Sequence, residues 1–426
     1  MIFQYIFLLC PGLLATSSST PTPPSQDPWY SAPVGYENVK PGTVLRLRHA
    51  PGNLTDTMGH TSTAYNVLFR TTNSQYKPTW AVTTVLVPEL GLNSTAQLAF
   101  NQSALLSYYI PYDSSSLDSS PSYTLYGTQY AQQLDAALAM GLFVSVPDYE
   151  GPLAAFTAGV NSGHASIDSI RAVLSLGLGM DTTSARVALW GYSGGALAAE
   201  WASELMVQYA PELSETIVGA ALGGLTPNVS SVYETVSGGS FAGLVPSSLL
   251  GLTAQYPEAR EYLTSQLKAS GPYNSTGFLA ALDMTVDEAG VAFAGHDIGE
   301  YFQNGFASFQ SPIIHNIINR DGVMGYHGVP QIPIFSYVVI QDEVSDVADT
   351  DGLIDRYCQV GANILHERNS VGSHLEEAYN SAPAALDWLT AVLSGSYAAK
   401  YNIVGCTIRN VTRNGTTSGV EKRCHQ

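Results

Sequence analysis

A strand that runs into a glycine-flanked serine and straight out into a helix leaves a chain few folds to adopt. Residues 186–190 (RVALW) read as a short buried strand, Gly191-Tyr192-Ser193-Gly194-Gly195 follows with no spacer, and residues 196–209 have helical character. In such a G-x-S-x-G elbow the serine occupies a strained turn. The chain before and after it passes too close for side chains two residues away, which accounts for Gly191 and Gly195. The helix that follows points its N-terminal N–H groups and the positive end of its dipole at the serine. Ser193 is therefore the candidate nucleophile, and the backbone N–H of Gly194 a candidate donor to an oxyanion.

The rest of the chain supplies the sheet that an elbow needs. Residues 79–87, 105–109, 142–147, 186–190, 216–222 and 332–340 read as strands, rich in β-branched and aromatic side chains. Helical segments at 128–140, 163–177, 196–209, 351–360 and 376–393 alternate with them. That alternation predicts an α/β fold: a mostly parallel central sheet with helices on both faces. One connection breaks the rhythm, with about 110 residues between the strand ending at Leu222 and the one starting at Ile332, where a crossover needs about 10–12. It is too apolar for a loop and reads as an inserted cap or lid. The expected organisation is a signal peptide at 1–19, core at 20–225, cap at 226–330, core again at 331–410 and a flexible tail at 411–426.

Apolar residues make up 45% of the 426, ample for a core, whereas only 12% are charged, half the usual share of roughly 25%. The formal charge of −18 repels phosphate backbones and no basic cluster offsets it, which excludes nucleic-acid binding. The opening MIFQYIFLLCPGLLA is too short to span a bilayer and is followed by Ser, Thr and Pro, as in a secretory signal; no later stretch could serve as a transmembrane segment. Seven N-x-S/T sequons, at Asn53, Asn93, Asn101, Asn228, Asn274, Asn410 and Asn414, agree with a secreted glycoprotein. Cys10 leaves with the signal, so Cys358, Cys406 and Cys424 remain and at most one pair forms within the chain.

A serine hydroxyl is a poor nucleophile at neutral pH and needs a base beside it, itself oriented by a carboxylate. On a sheet of this kind the chain order is serine, acid, histidine. Asp342 directly follows the strand IPIFSYVVIQ and is the leading acid; Glu343, Asp346, Asp349, Asp351 and Asp355 compete. Of the histidines after it, His374 lies in a Gly-Ser-His turn before the last helix and is favoured over His366 and His425. A second oxyanion donor belongs after an early strand, where Asp113 and its neighbours stand. No His/Cys cluster has metal spacing and no glycine-rich phosphate loop follows a first strand, so neither metal nor cofactor is expected.

Dispersed motifs carry a resemblance to the fungal secretory lipases of the lipase A type: LDSSPSY (117–123), GLFVSVPDYEG (141–151), GYSGGALAAEWA (191–202), GGLTP (223–227), GGSFAGL (238–244), QDEV (341–344) and the Ser-His-Leu turn (373–375). The resemblance implies an α/β-hydrolase core with Ser193 as nucleophile, His374 as base, Asp342 as acid, and backbone N–H groups of Gly194 and Asp113 as oxyanion donors. It also implies a cap over a tunnel for the acyl chain, a Cys358–Cys406 disulfide, and action on triacylglycerols or other carboxylic esters, acetylated secondary metabolites among them. A second disulfide of relatives is missing, because Ser119 stands at one position and the cap has no cysteine. Lys422-Arg423 resembles a dibasic processing site that would remove Cys424. The leading expectation is a secreted, monomeric triacylglycerol lipase that works on a lipid or small-molecule ester at a lipid–water interface. The alternatives are a narrow acetylesterase, a peptidase, and a non-catalytic binding protein on the same fold.

Overall fold

The computed structural model describes residues 21–89, 100, 102–127 and 131–414. The expected signal peptide, Asn93, Asn101, Lys422, Arg423 and Cys424 lie outside the described residues. Ten strands form one sheet: β1 Val44–His49, β2 Thr61–Thr72, β3 Pro78–Pro88, β4 Ala104–Tyr109, β5 Phe143–Pro147, β6 Arg186–Tyr192, β7 Ile217–Gly223, β8 Ile334–Val339, β9 Ile364–Asn369 and β10 Cys406–Val411. Their order is β1-β2-β3-β5-β4-β6-β7-β8-β9-β10. The pairs β1/β2, β2/β3 and β3/β5 are antiparallel, and every pair from β5 through β10 is parallel. This is the α/β-hydrolase architecture, with the parallel strands ending together along one edge of the sheet.

The six sequence-predicted strands are β3 to β8, and four others escape sequence reading for physical reasons. In β4, β5 and β8 every residue is buried, the continuous apolar run of a strand covered on both faces. By contrast β1 (VLRLRH) and β10 (CTIRNV) are the half-exposed edges of the sheet. β9 (ILHERN) is interior but polar. Its His366 is held by Ser336 Oγ at 3.0 Å and Asp351 Oδ1 at 3.0 Å, and Arg409 and Arg413 close on Glu367. The final helix is two: His374–Asn380 and Ala382–Leu393. Pro383, which lacks an N–H, enforces the break after Ser381.

Residues 411–414, expected in a flexible tail, include groups held to the sheet. Val411 closes the β10 ladder opposite Asn369, and Arg413 N–H donates to Asn369 Oδ1 at 2.9 Å. Cys358 and Cys406 form a disulfide that ties the helix Val347–Gln359 to the start of β10.

Between β7 and β8 the chain builds helices at Val229–Val236, Leu244–Thr253, Pro257–Ser265, Ser275–Leu279, Val286–Phe293 and Pro312–Asp321. They enclose an apolar core of their own around Val245, Leu249, Phe278, Phe293, Phe302 and Ile314. Where the second disulfide of relatives is absent, hydroxyls clasp this unit to the sheet. Ser114 Oγ donates to Met284 O at 2.7 Å, Ser115 Oγ to Ala281 O at 3.0 Å, and Ser119 Oγ to Ser114 Oγ at 3.0 Å.

Candidate active site

The chain passes from β4 to β5 on one side and then to β6 on the other, so a crevice opens at the carboxyl ends of β4 and β6. Ser193 follows β6 there with φ 54° and ψ −124°, a left-handed backbone that non-glycine residues rarely adopt. Its N–H donates to Gly223 O at 2.9 Å. Three glycines make the turn possible. A Cβ on Gly191 would overlap the carbonyl of Gly195, and one on Gly195 would overlap the carbonyl of Tyr109. A Cβ on Gly194 would overlap Asp113 Oδ1, so Gly194 is required by a side chain from the loop after β4, which the G-x-S-x-G pattern does not register.

His374 Nε2 lies 2.9 Å from Ser193 Oγ, and His374 Nδ1 lies 2.7 Å from Asp342 Oδ2. The Asp342 side chain is fully buried, and its other oxygen accepts the N–H groups of Val344 at 2.8 Å and Ser345 at 3.0 Å. The carboxylate thus has its second oxygen satisfied and its orientation set. His374 is the first residue of its helix, entered through a capping box in which Ser373 Oγ accepts from Glu376 N and Glu376 from Ser373 N. The Tyr192 hydroxyl donates to the His374 carbonyl.

The competing acids have other partners. Glu343 accepts the His374 N–H at 3.0 Å. Asp346 caps the helix Val347–Gln359, Asp349 lies in its first turn, and Asp355 is exposed along it. Asp351 holds His366 and Arg368, so His366 belongs to the β8–β9 core and does not reach Ser193. Among the described residues no group of three or more His, Cys, Asp or Glu side chains could hold a metal ion.

Asp113 follows β4 with φ 42° and is buried, and its Oδ1 has no hydrogen-bond partner among the described residues. Burial pushes this carboxyl up to about 7, opposed by the neighbouring His374. Behind it stand two further buried acids that sequence reading assigned no role. Asp148 accepts Ser122 N at 2.8 Å and Ser122 Oγ at 2.6 Å and is pushed by burial to about 7. Glu150 is raised well above the carboxylate range by burial first, then by Asp113 and Asp148. Their only sequence signal is the PDYEG run after β5.

Two cavities meet at Ser193, sharing Asp113, Leu244 and Val344 in their walls. One runs under the cap past Phe156 and Leu197 to Thr157, Tyr233 and Ser248, with a volume of about 30 Å³. This is where the acyl tunnel implied by resemblance would run, and the space here is small. The other, of about 290 Å³, is walled by Tyr108, Trp190, Tyr192, Phe241 and Tyr337. Its rim is exposed and apolar, with Val291, Leu375 and Tyr379 at 83%, 59% and 60% exposure.

Comparison with known proteins follows the same lines. A family model described as secretory lipase matches residues 120–400. A trichothecene C-3 esterase of Fusarium sporotrichioides is 57% identical, across 97% of this chain and 93% of its own. A probable trichothecene esterase of Stachybotrys chartarum is 41% identical, across 93% of this chain and 82% of its own. Among solved structures, Candida antarctica lipase A superposes with a TM-score of 0.80 at 24% identity, covering 92% of this chain and 91% of that one.

Proposed function

From the premise that the chain belongs to the secretory lipase family, we propose that it hydrolyses a short-chain acyl ester of a bulky, multi-ring alcohol of the trichothecene kind. That it is a carboxylic-ester hydrolase follows from the family; the narrower substrate is our reading. Ser193 Oγ attacks the ester carbonyl as its proton passes to His374 Nε2, and Asp342 holds Nδ1–H and steadies the imidazolium. Backbone N–H groups of Gly194 and Asp113 stabilise the oxyanion. His374 then protonates the departing alcohol, and water, activated by the same histidine, releases the acid.

The observation that carries the substrate assignment is the inequality of the two cavities. At roughly 10–15 Å³ for each water-sized group, the 30 Å³ cavity admits an acetyl-sized acyl group. The aromatic cavity, about tenfold larger, suits a rigid ring system. Incubation with a C-3-acylated trichothecene and with p-nitrophenyl esters from acetyl to palmitoyl tests this. Turnover of the trichothecene ester and of acetyl, lost in Ser193→Ala, is the expected result; activity retained in Ser193→Ala overturns the mechanism.

Triacylglycerol hydrolysis is the second reading, favoured by the exposed apolar rim of Val291, Leu375 and Tyr379, which suits a lipid surface. Among the described residues no helix is long and apolar enough to cross a membrane. The secretory character of the family supports export of the chain with residues 1–19 as its signal.

A further inference from the structure

Three hydroxyls line the cavity behind Ser193, and their bonds run in one direction. Thr157 Oγ1 lies 2.7 Å from the Phe156 carbonyl, to which it donates. Ser248 Oγ lies 2.7 Å from Thr157 Oγ1, and Tyr233 OH lies 2.6 Å from Ser248 Oγ. With the Thr157 proton committed to a carbonyl, Ser248 donates to Thr157 and Tyr233 to Ser248, so each hydroxyl hydrogen is used once. All three residues are buried, and they come from three places: the loop after β5 and two cap helices, Val229–Val236 and Leu244–Thr253.

Ser248 lies on a mostly apolar helix (LVPSSLLGLT), and beside it lies the cap's own core of Val236, Val245, Leu249 and their neighbours. A cap built for long acyl chains would continue the cavity with apolar walls into that core. Here the cavity wall carries three polar groups that are satisfied by one another and by the Phe156 carbonyl. A methylene pushed among them separates buried donors from acceptors and leaves them unpaired, which is costly in an interior.

We infer that Tyr233, Ser248 and Thr157 are the acyl-length ruler of this enzyme: their hydroxyl chain stops the acyl group at about acetyl size, and specificity is set there. The inference rests on the short-acyl reading above. It assigns these residues to specificity and gives them no part in the bond-making steps.

The test is the ratio of kcat/KM on p-nitrophenyl octanoate to that on the acetate, in the full chain and its variants. Tyr233→Val shortens the wall and Ser248→Ala removes the middle link; Thr157→Ala, on the core side, serves if a cap variant fails to fold as judged by circular dichroism. The expected result is a wild-type preference for acetate and a rise in the ratio of tenfold or more in Tyr233→Val/Ser248→Ala, since one accommodated methylene is worth roughly 10–200-fold. A wild-type preference for acetate with folded variants whose ratio does not move overturns the ruler and leaves the short-acyl reading standing. A wild-type preference for octanoate overturns both. A general loss of packing lowers both rates together, so a changed ratio is not explained by destabilisation.

Discussion

Asp148 offers the sharpest test of how the buried acids behind the site are held. Burial raises its carboxyl from 3.8 to about 7, against the opposing pull of two bonds from Ser122. Between those two values the native carboxyl keeps a proton that the unfolded chain has lost. Stability therefore falls as pH rises through this window and levels off above it. At roughly 1.4 kcal/mol per pH unit the whole displacement amounts to about 4 kcal/mol, of which about 3 kcal/mol falls between pH 5 and pH 8. Asp148→Asn cannot ionise, and its amide can still meet Ser122 with one acceptor and one donor. With an unfolding entropy of about 2.1 cal/mol/K per residue, 3 kcal/mol corresponds to about 3 °C in a chain of 426 residues. Thermal unfolding followed by circular dichroism at pH 5 and pH 8 should show the variant gaining about that much on wild type as pH rises. Parallel curves, with a gap that stays constant, would refute the claim that Asp148 is held protonated by burial.

Two further outcomes follow from contacts already described. Gly194→Ala drives a methyl into Asp113 Oδ1 and should lower kcat on an acetyl ester by roughly 10²–10³-fold, the cost of one misaligned oxyanion donor. Asp113→Gly in the same chain, which suits φ 42°, should restore part of that rate; no recovery would mean the clash is not the cause. Cys358→Ser opens a disulfide that spans 48 residues, and denaturant unfolding should show a loss of up to about 4 kcal/mol. An unchanged midpoint would mean that packing of β10 alone holds the strand.

What could be read from the sequence was what is local. The elbow, the acid at the end of β8 and the Gly-Ser-His turn before the last helix are each set by a few neighbouring residues, and the structure brings Ser193, His374 and Asp342 within hydrogen-bond reach. The parallel core strands were legible because burial on both faces makes them continuously apolar. β9 was not, since His366 and Glu367 are buried by partners far along the chain. The same holds for the site's unexpected parts. Gly194 reads as one more glycine until Asp113 is placed over it, and no spacing rule joins Thr157, Tyr233 and Ser248, which meet only once the cap is folded.

β10 carries a consequence for how this protein behaves at high concentration. It is the last strand of the sheet, and among the described residues no strand pairs with its outer row of backbone N–H and C=O groups, beside exposed Ile403, Val404 and Ile408. Such an edge is a template on which a second chain can add a strand. Asn410 lies on that strand and Asn414 just past it, both exposed and both in sequons. A sugar at either position would stand over the open edge as a steric guard. Protein made in a host that adds no glycans would lack that guard, leaving the charges of Arg409 and Arg413, already drawn toward Glu367, as the main deterrent to edge-to-edge aggregation.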